Sequence, residues 1–153
     1  MMKRPAVLFV CVHNSARSQM AEAFLKKHAG GFFEVASAGI EPGVLNPVVV
    51  DALKEIGIDI SMNRTKDAFE FLKLGKTFQY VITVCDEANG ERCPIFPGVS
   101  QRLHWTFDDP SAIKGSYEAK LAATRVIRDA IKSRILEFIQ HQVPSGAGVE
   151  TAT

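Results

Sequence analysis

Short apolar runs alternate with amphipathic stretches along the chain. Runs of apolar, β-branched and aromatic residues bounded by polar or turn residues predict strands, and apolar residues repeated at three- and four-residue intervals predict helices. The predicted strands are 7–10, 32–38, 80–85 and 102–107, and the predicted helices are 18–29, 47–56, 66–74 and 116–140. Alternation of this kind predicts an α/β fold, in which right-handed crossovers join parallel strands and helices cover both faces of the sheet.

Turn and capping residues indicate where these helices begin and end. Asn46 followed by Pro47 is a typical helix start. Thr65 is predicted to cap the third helix, and Gly30 with Gly31 predicts a left-handed end to the first helix.

Length and composition suit a single domain. A chain of 153 residues, 46% hydrophobic and 23% charged, can bury one sizeable core, whereas a second full domain would be cramped. We predict one catalytic domain over residues 1–141. Residues 142–153 are small and polar, which predicts a flexible C-terminal tail.

Charge and cysteine content exclude several classes of function. The net charge of +1 gives no broad polyanion-binding surface, so no nucleic-acid partner is expected. No apolar run is long enough to span a bilayer, so no membrane association is expected. Three cysteines, an odd number, fit reactive thiols in a reducing compartment better than a secreted disulfide framework. These features predict a cytoplasmic protein.

The first predicted strand leads into a polar loop that begins with Cys11 and ends with Arg17 at the start of a helix. Amides at a helix amino terminus lack intrahelical partners and the helix dipole adds positive charge, so the loop can hold a tetrahedral oxyanion against the guanidinium. The positive charge of the helix start and of Arg17 also favours the thiolate form of Cys11, which is the nucleophile. Ser18 can donate a hydrogen bond to this thiolate. A buried structural cysteine is the alternative, but the loop is too polar to enclose an inert thiol.

Two further cysteines follow the third predicted strand. If the strands ending at Cys11 and Cys85 are parallel neighbours, both thiols lie at the carboxyl edge of the sheet, where such sheets bind ligands. Cys93 lies beyond Cys85 in a polar segment, and a disulfide between these two would require that segment to fold back. The spacings match no zinc-binding pattern, so redox use is favoured and no metal is predicted.

Two aspartates and a proline follow the fourth predicted strand. Asp108 is expected to contribute only to a turn. Asp109 at the same sheet edge, over an oxyanion bound at Cys11, is assigned as the general acid that protonates the departing oxygen. A purely structural turn is the alternative for Asp109 as well.

The loop Cys11-Val-His-Asn-Ser-Ala-Arg17-Ser18 with Asp109-Pro110 resembles the low-molecular-weight tyrosine phosphatase superfamily, and Cys85 and Cys93 resemble its thioredoxin-coupled arsenate reductase branch. The resemblance implies a three-layer α/β/α fold with a four-stranded parallel sheet, and it implies no cofactor. It also implies that arsenate, and possible competitors such as phosphate or sulfate, bind to the loop residues Val12, His13, Asn14, Ser15, Ala16 and Arg17. We expect a monomer.

The resemblance further implies a series of thiol reactions. Cys11 attacks arsenic, and Asp109 assists loss of oxygen as water. Cys85 then attacks the Cys11 sulfur, which releases arsenite and leaves a Cys11–Cys85 disulfide. Cys93 attacks Cys85 in turn, and thioredoxin reduces the resulting Cys85–Cys93 disulfide.

Some members of this branch bind potassium near the loop. The corresponding positions in this chain are Asn14, Glu22, Thr65 and Asp67. An asparagine in an oxyanion loop and a glutamate on a helix also have ordinary structural explanations, so both interpretations stay open.

Two other functions are alternatives to arsenate reduction. A protein tyrosine phosphatase would use Cys11, Arg17 and Asp109 alone. Phosphatases of this group tend to carry tyrosines after the Asp-Pro step, whereas this chain continues with Ser111-Ala-Ile-Lys. A noncatalytic phospho-ligand or carrier module would need neither Asp109 nor a pair of resolving cysteines. Arsenate reduction is therefore the favoured hypothesis.

Overall fold

A four-stranded parallel sheet forms the centre of the protein, as seen in a computed structural model that describes residues 4–85 and 92–143. The strands are β1 (Ala6–Cys11), β2 (Glu34–Gly39), β3 (Tyr80–Thr83) and β4 (Gln101–His104). Their order across the sheet is β2-β1-β3-β4, and each neighbouring pair is parallel. The predicted α/β class and the parallel sheet are confirmed.

Helices cover both faces of this sheet. They are α1 (Arg17–Ala29), α2 (Pro47–Lys54), α3 (Ala68–Lys73) and α4 (Tyr117–Gln142), with a 3₁₀ turn at Pro110–Ala112. Helices α1, α2 and α4 pack on one face and on one another, whereas α3 packs on the other face. The predicted three-layer α/β/α architecture is therefore confirmed.

Strand β1 is buried on both sides, which explains its continuous apolar sequence. Val7, Phe9 and Cys11 point to the face covered by α1, α2 and α4, and the alternate residues Leu8 and Val10 point to the α3 face. Cys11 thus ends the central strand on the side where α1 begins.

The observed capping residues correct two of the predictions from the sequence. Asn46 caps α2 as predicted, but α3 is capped by Asp67, whose Oδ1 accepts from the Phe69 amide at 2.8 Å. Thr65 instead donates its hydroxyl to the Gly43 carbonyl at 2.7 Å. The left-handed end predicted for α1 is wrong, because Gly30 stays in the right-handed region and its amide still donates to Lys26 at 3.1 Å.

The predicted boundaries of the C-terminal region are only partly tested. Helix α4 ends at Gln142, one residue beyond the predicted end of the domain, and the predicted tail residues 144–153 lie outside the described residues. Within residues 4–85 and 92–143, no helix combines the length and apolarity needed to cross a membrane.

Candidate active site

The loop between β1 and α1 lies at the carboxyl edge of the sheet and is held by the chain that follows β2. Three amides within residues 40–43 donate to the carbonyls of residues 11–13 at 2.7–3.1 Å. At Gly39, an added Cβ would lie 2.8 Å from the Val12 carbonyl oxygen. Glycine is needed here because any side chain would collide with the loop backbone.

The Cys11 sulfur lies within hydrogen-bond distance of two donors. It lies 2.8 Å from Ser18 Oγ and 3.2 Å from the Asn14 amide nitrogen. Asn14 Nδ2 donates to Ser18 Oγ at 2.7 Å, so the serine oxygen is already an acceptor and its hydrogen is available to the sulfur. The structure thus places Ser18 beside Cys11, as predicted.

Asn14 is fully buried and adopts a left-handed conformation with φ of 54°. Its amide group makes four hydrogen bonds that hold this uncommon backbone: Nδ2 donates to Ser18 and to Ser37 Oγ, and Oδ1 accepts from Gln19 Nε2 and the Lys66 amide. Ser37 and Gln19 were not identified from the sequence. A serine inside an otherwise apolar strand was the available signal for Ser37.

Arg17 and Asp109 face each other beside the loop. Arg17 Nη2 lies 3.6 Å from Asp109 Oδ2, and Arg17 Nη1 donates to the Phe107 carbonyl at 3.2 Å. The other carboxyl oxygen of Asp109 accepts from the Ser111 amide at 2.9 Å, so the residue also forms the turn that was its alternative role. Asp109 keeps 35% of its side chain exposed, and Asp108 is exposed.

The predicted oxyanion-binding residues differ in exposure. Asn14, Ser15 and Ala16 are buried, Val12 is half-buried, and His13 is exposed with its ring nitrogen Nδ1 2.8 Å from the Glu41 carbonyl oxygen. Among the described residues, nothing accepts a hydrogen bond from the amides of residues 15–17. These amides are oriented by the start of α1 and can bind an anion.

The structure brings two of the three cysteines together on one side of the sheet. Cys11 ends β1, Cys85 follows the parallel neighbour β3, and both are buried in the apolar cluster under α1, α2 and α4. The predicted common edge is confirmed. Cys93 is instead buried in the cluster on the α3 face, with Phe78, Val81 and Phe96. All three are free thiols, and residues 86–91, which link the last two, lie outside the described residues.

Among the four positions at which the resemblance implies potassium, Glu22 is already paired with two lysines. The buried Glu22 carboxylate already receives Lys26 Nζ at 2.5 Å and Lys66 Nζ at 3.2 Å. Burial alone would raise the pKa of Glu22, but the charge of Lys66 and hydrogen bonds from Lys26 and Ser37 outweigh it and lower the pKa. The ammonium groups of Lys26 and Lys66 therefore already balance the negative charge of Glu22, which a bound metal ion would need. No cluster of three or more His, Cys, Asp or Glu side chains that could hold a metal occurs within the described ranges.

The parallel sheet and the loop between β1 and α1 define a class of protein. Members of this class are α/β domains that bind an oxyanion next to a nucleophilic cysteine at the carboxyl edge of the sheet. Residues 6–144 match the family described as low molecular weight phosphotyrosine protein phosphatase. The chain belongs to this family, and the resemblance based on Cys11, Arg17 and Asp109 is confirmed.

Relatives and solved structures define the branch of the family that the chain resembles. An arsenate reductase of Halalkalibacterium halodurans is 44% identical over 139 residues, which cover 91% of this chain and 98% of that protein. A structure described as an arsenate reductase in the phosphate binding state is 30% identical with a TM-score of 0.71, covering 90% of this chain and 98% of that one. A thioredoxin-dependent arsenate reductase of Corynebacterium glutamicum is 33% identical with a TM-score of 0.69 over 90% of this chain, which spans 61% of that longer chain.

Proposed function

We propose that this protein is an arsenate reductase that draws two electrons from its own cysteines and is restored by thioredoxin. The observation that carries the proposal is the burial of Cys11 and Cys85 in one apolar cluster, directly beside an oxyanion-binding loop. A hydrolytic phosphatase needs only the first of these thiols, whereas a reductase needs a second thiol close to the first. The relatives named arsenate reductase support the same assignment.

Arsenate binds in the loop through Arg17 and the amides of residues 12–17. The guanidinium and the loop amides together supply the positive field that a tetrahedral oxyanion requires. Phosphate and sulfate share this geometry and act as competing ligands. The exposed His13 contributes its amide rather than its ring, because the ring contacts Glu41.

The first covalent step joins Cys11 to arsenic. The thiolate, stabilised by Ser18 and the Asn14 amide, attacks arsenic, and an oxygen departs as water after it receives a proton from Asp109. The contact of Asp109 with Arg17 places its carboxyl beside the bound oxyanion.

The second step transfers the electrons. Cys85 attacks the Cys11 sulfur, the sulfur–arsenic bond breaks, and its electron pair stays with arsenic, which leaves as arsenite. Cys93 then attacks Cys85 and frees Cys11. Because Cys93 is buried on the opposite face of the sheet, it must leave its apolar cluster before this exchange.

Thioredoxin is the proposed reductant of the Cys85–Cys93 disulfide, which would leave the chain ready for another turnover. We further propose that the protein works as a monomer in the cytoplasm, where thioredoxin is kept reduced. Hydrolysis of small aryl phosphates is expected as a side activity, since Cys11, Arg17 and Asp109 suffice for it.

The proposal is tested by comparing two activities of the purified protein. With thioredoxin, thioredoxin reductase and NADPH, arsenate-dependent NADPH oxidation is expected to have a higher kcat/KM than hydrolysis of an aryl phosphate. The Cys11→Ser variant should lose both activities because both begin at this thiol. Aryl phosphate hydrolysis without arsenate-dependent NADPH oxidation would contradict the proposal and favour a phosphatase.

A further inference from the structure

Asn46 joins three elements: the active-site loop, helix α2 and the turn that carries Asp109. Its backbone amide donates to the Ser15 carbonyl of the loop at 2.9 Å. Its side-chain Oδ1 accepts from the first amides of α2 at 2.9 and 3.4 Å and so caps that helix. Its Nδ2 donates to Ser111 Oγ of the 3₁₀ turn at 3.0 Å. One half-buried residue therefore connects the oxyanion loop to the turn beside it.

The cap fixes the direction of the Asn46 side-chain amide. An asparagine side chain accepts through its oxygen and donates through its nitrogen. Because the oxygen is bound at the start of α2, the nitrogen faces Ser111. Ser111 in turn donates its backbone amide to Asp109 Oδ1 at 2.9 Å, and Asp109 Oδ2 lies 3.6 Å from Arg17 Nη2. The orientation set at α2 is thus transmitted through Ser111 to the carboxyl group.

The turn that carries Asp109 is attached to the rest of the site on two sides. On one side, Arg17 Nη1 donates to the Phe107 carbonyl at 3.2 Å and Nη2 contacts Asp109. An oxyanion bound in the loop accepts hydrogen bonds from this same guanidinium, so the contacts of Arg17 with the turn compete with the substrate. The hydrogen bond from Asn46 to Ser111 uses neither Arg17 nor a loop amide, so it can hold the turn while substrate is bound.

We propose that Asn46 is a positioning residue for the general acid, because through Ser111 it holds the Asp109 carboxyl at the leaving oxygen. This inference rests on the proposed function, in which Asp109 gives a proton to the oxygen that leaves arsenic. Hydrolysis of an aryl phosphate uses the same proton transfer. The Cys11 sulfur binds phosphorus, the bond from phosphorus to the aryl oxygen breaks, and that oxygen takes the proton of Asp109.

The test uses the basicity of the leaving group. Phenolate must be protonated as it leaves phenyl phosphate, whereas 2,4-dinitrophenolate is a weak base and leaves without a proton. Asn46→Ser removes the donor to Ser111 but keeps an oxygen that can cap α2, since serine and asparagine are similarly good caps. We expect kcat/KM for phenyl phosphate to fall about three- to tenfold, the scale of one net hydrogen bond. With 2,4-dinitrophenyl phosphate, kcat/KM should change by less than about twofold.

Three other substitutions provide the comparison. Ser111→Ala removes the acceptor of the same hydrogen bond and should have the same effect as Asn46→Ser. The double variant should lose no more than either single variant, because both changes break one bond. Asp109→Asn should show the same selective loss with phenyl phosphate, but a larger one. Tyr117→Phe, which removes a hydrogen bond of 2.6 Å to Asp51 on α2, should leave both activities unchanged.

A single turnover with arsenate links this role to the proposed reduction: Asn46→Ser should slow arsenite release by the same factor and leave arsenate affinity unchanged. An equal loss with both aryl phosphates, or no loss with phenyl phosphate, would overturn the role of Asn46 alone. Absence of a selective loss in Asp109→Asn would overturn the general acid and this inference with it. Hydrolysis by the wild-type protein without arsenite release would refute only the proposed reduction, because the two aryl phosphates decide the role of Asn46 independently.

Discussion

Replacement of Asp109 by asparagine is expected to slow single-turnover reduction of arsenate by about 10²- to 10⁴-fold, the usual range for loss of a positioned proton donor. The carboxyl lies 3.6 Å from Arg17 and is partly exposed, so it can reach an oxyanion held by that arginine. Asparagine keeps an oxygen that can accept from the Ser111 amide, so the turn is preserved and the variant removes mainly the proton. Arsenate affinity should be retained, because Arg17 and the loop amides supply the binding charge.

Asp108→Asn is the matched control for this experiment. Asp108 is the neighbouring carboxylate, but it is exposed and should affect the rate far less. Rapid-quench measurement of arsenite release and equilibrium titration with arsenate provide the rate and the affinity for both variants. A larger loss of rate in Asp108→Asn than in Asp109→Asn would show that the general acid is assigned to the wrong residue.

The Cys93→Ser variant is expected to lose multiple turnover of arsenate with thioredoxin while it hydrolyses a small aryl phosphate at nearly the wild-type rate. Hydrolysis uses Cys11, Arg17 and Asp109, none of which contacts Cys93, which is buried on the other face of the sheet. Without Cys93, the reaction should stop at a Cys11–Cys85 disulfide, which blocks the nucleophile.

The measurement pairs steady-state NADPH oxidation in the thioredoxin-coupled assay with release of the aryl alcohol. Serine has nearly the size of cysteine, and its hydroxyl can donate to the Pro94 carbonyl as the Cys93 thiol does, so the fold should be kept. An equal loss of both activities would argue that Cys93 supports the fold or the loop and has no separate role as a resolving thiol.

The loop and its strand were predictable because their signals are local. The continuous apolar run of β1 reflects burial on two faces, and the polar residues from Cys11 to Arg17 reflect an anion site at a helix start. The parallel pairing of β1 with β3 followed from the alternation of strands and helices, and this pairing placed Cys85 beside Cys11.

Other features of the site depend on contacts between distant parts of the chain. The sequence placed Cys93 in a polar segment beyond β3, but which face of the sheet receives it depends on packing with Phe78 and Phe96. Similarly, Glu22 is neutralised by Lys66, which is 44 positions away. No periodicity or spacing encodes such a pair, and so the fit of a potassium ion could be judged only in three dimensions.

Capping residues show a related limit. Thr65 and Asp67 are both good helix caps and lie two residues apart, so local preference does not choose between them. The choice follows from tertiary structure, because the Thr65 hydroxyl donates to Gly43 in the chain that supports the active-site loop. That contact leaves Asp67 to bind the first amides of α3.

The central claim is that three thiols of one chain supply both electrons for the reduction of arsenate. It is tested most directly by giving the reduced protein excess arsenate without any thiol donor, then counting arsenite and mapping disulfides by mass spectrometry. We predict one arsenite per chain and a Cys85–Cys93 disulfide with Cys11 returned to the thiol. The claim would be contradicted if arsenite formed in equal amount to the protein but the Cys85–Cys93 disulfide were absent. It would also be contradicted if no arsenite formed until an external thiol was added.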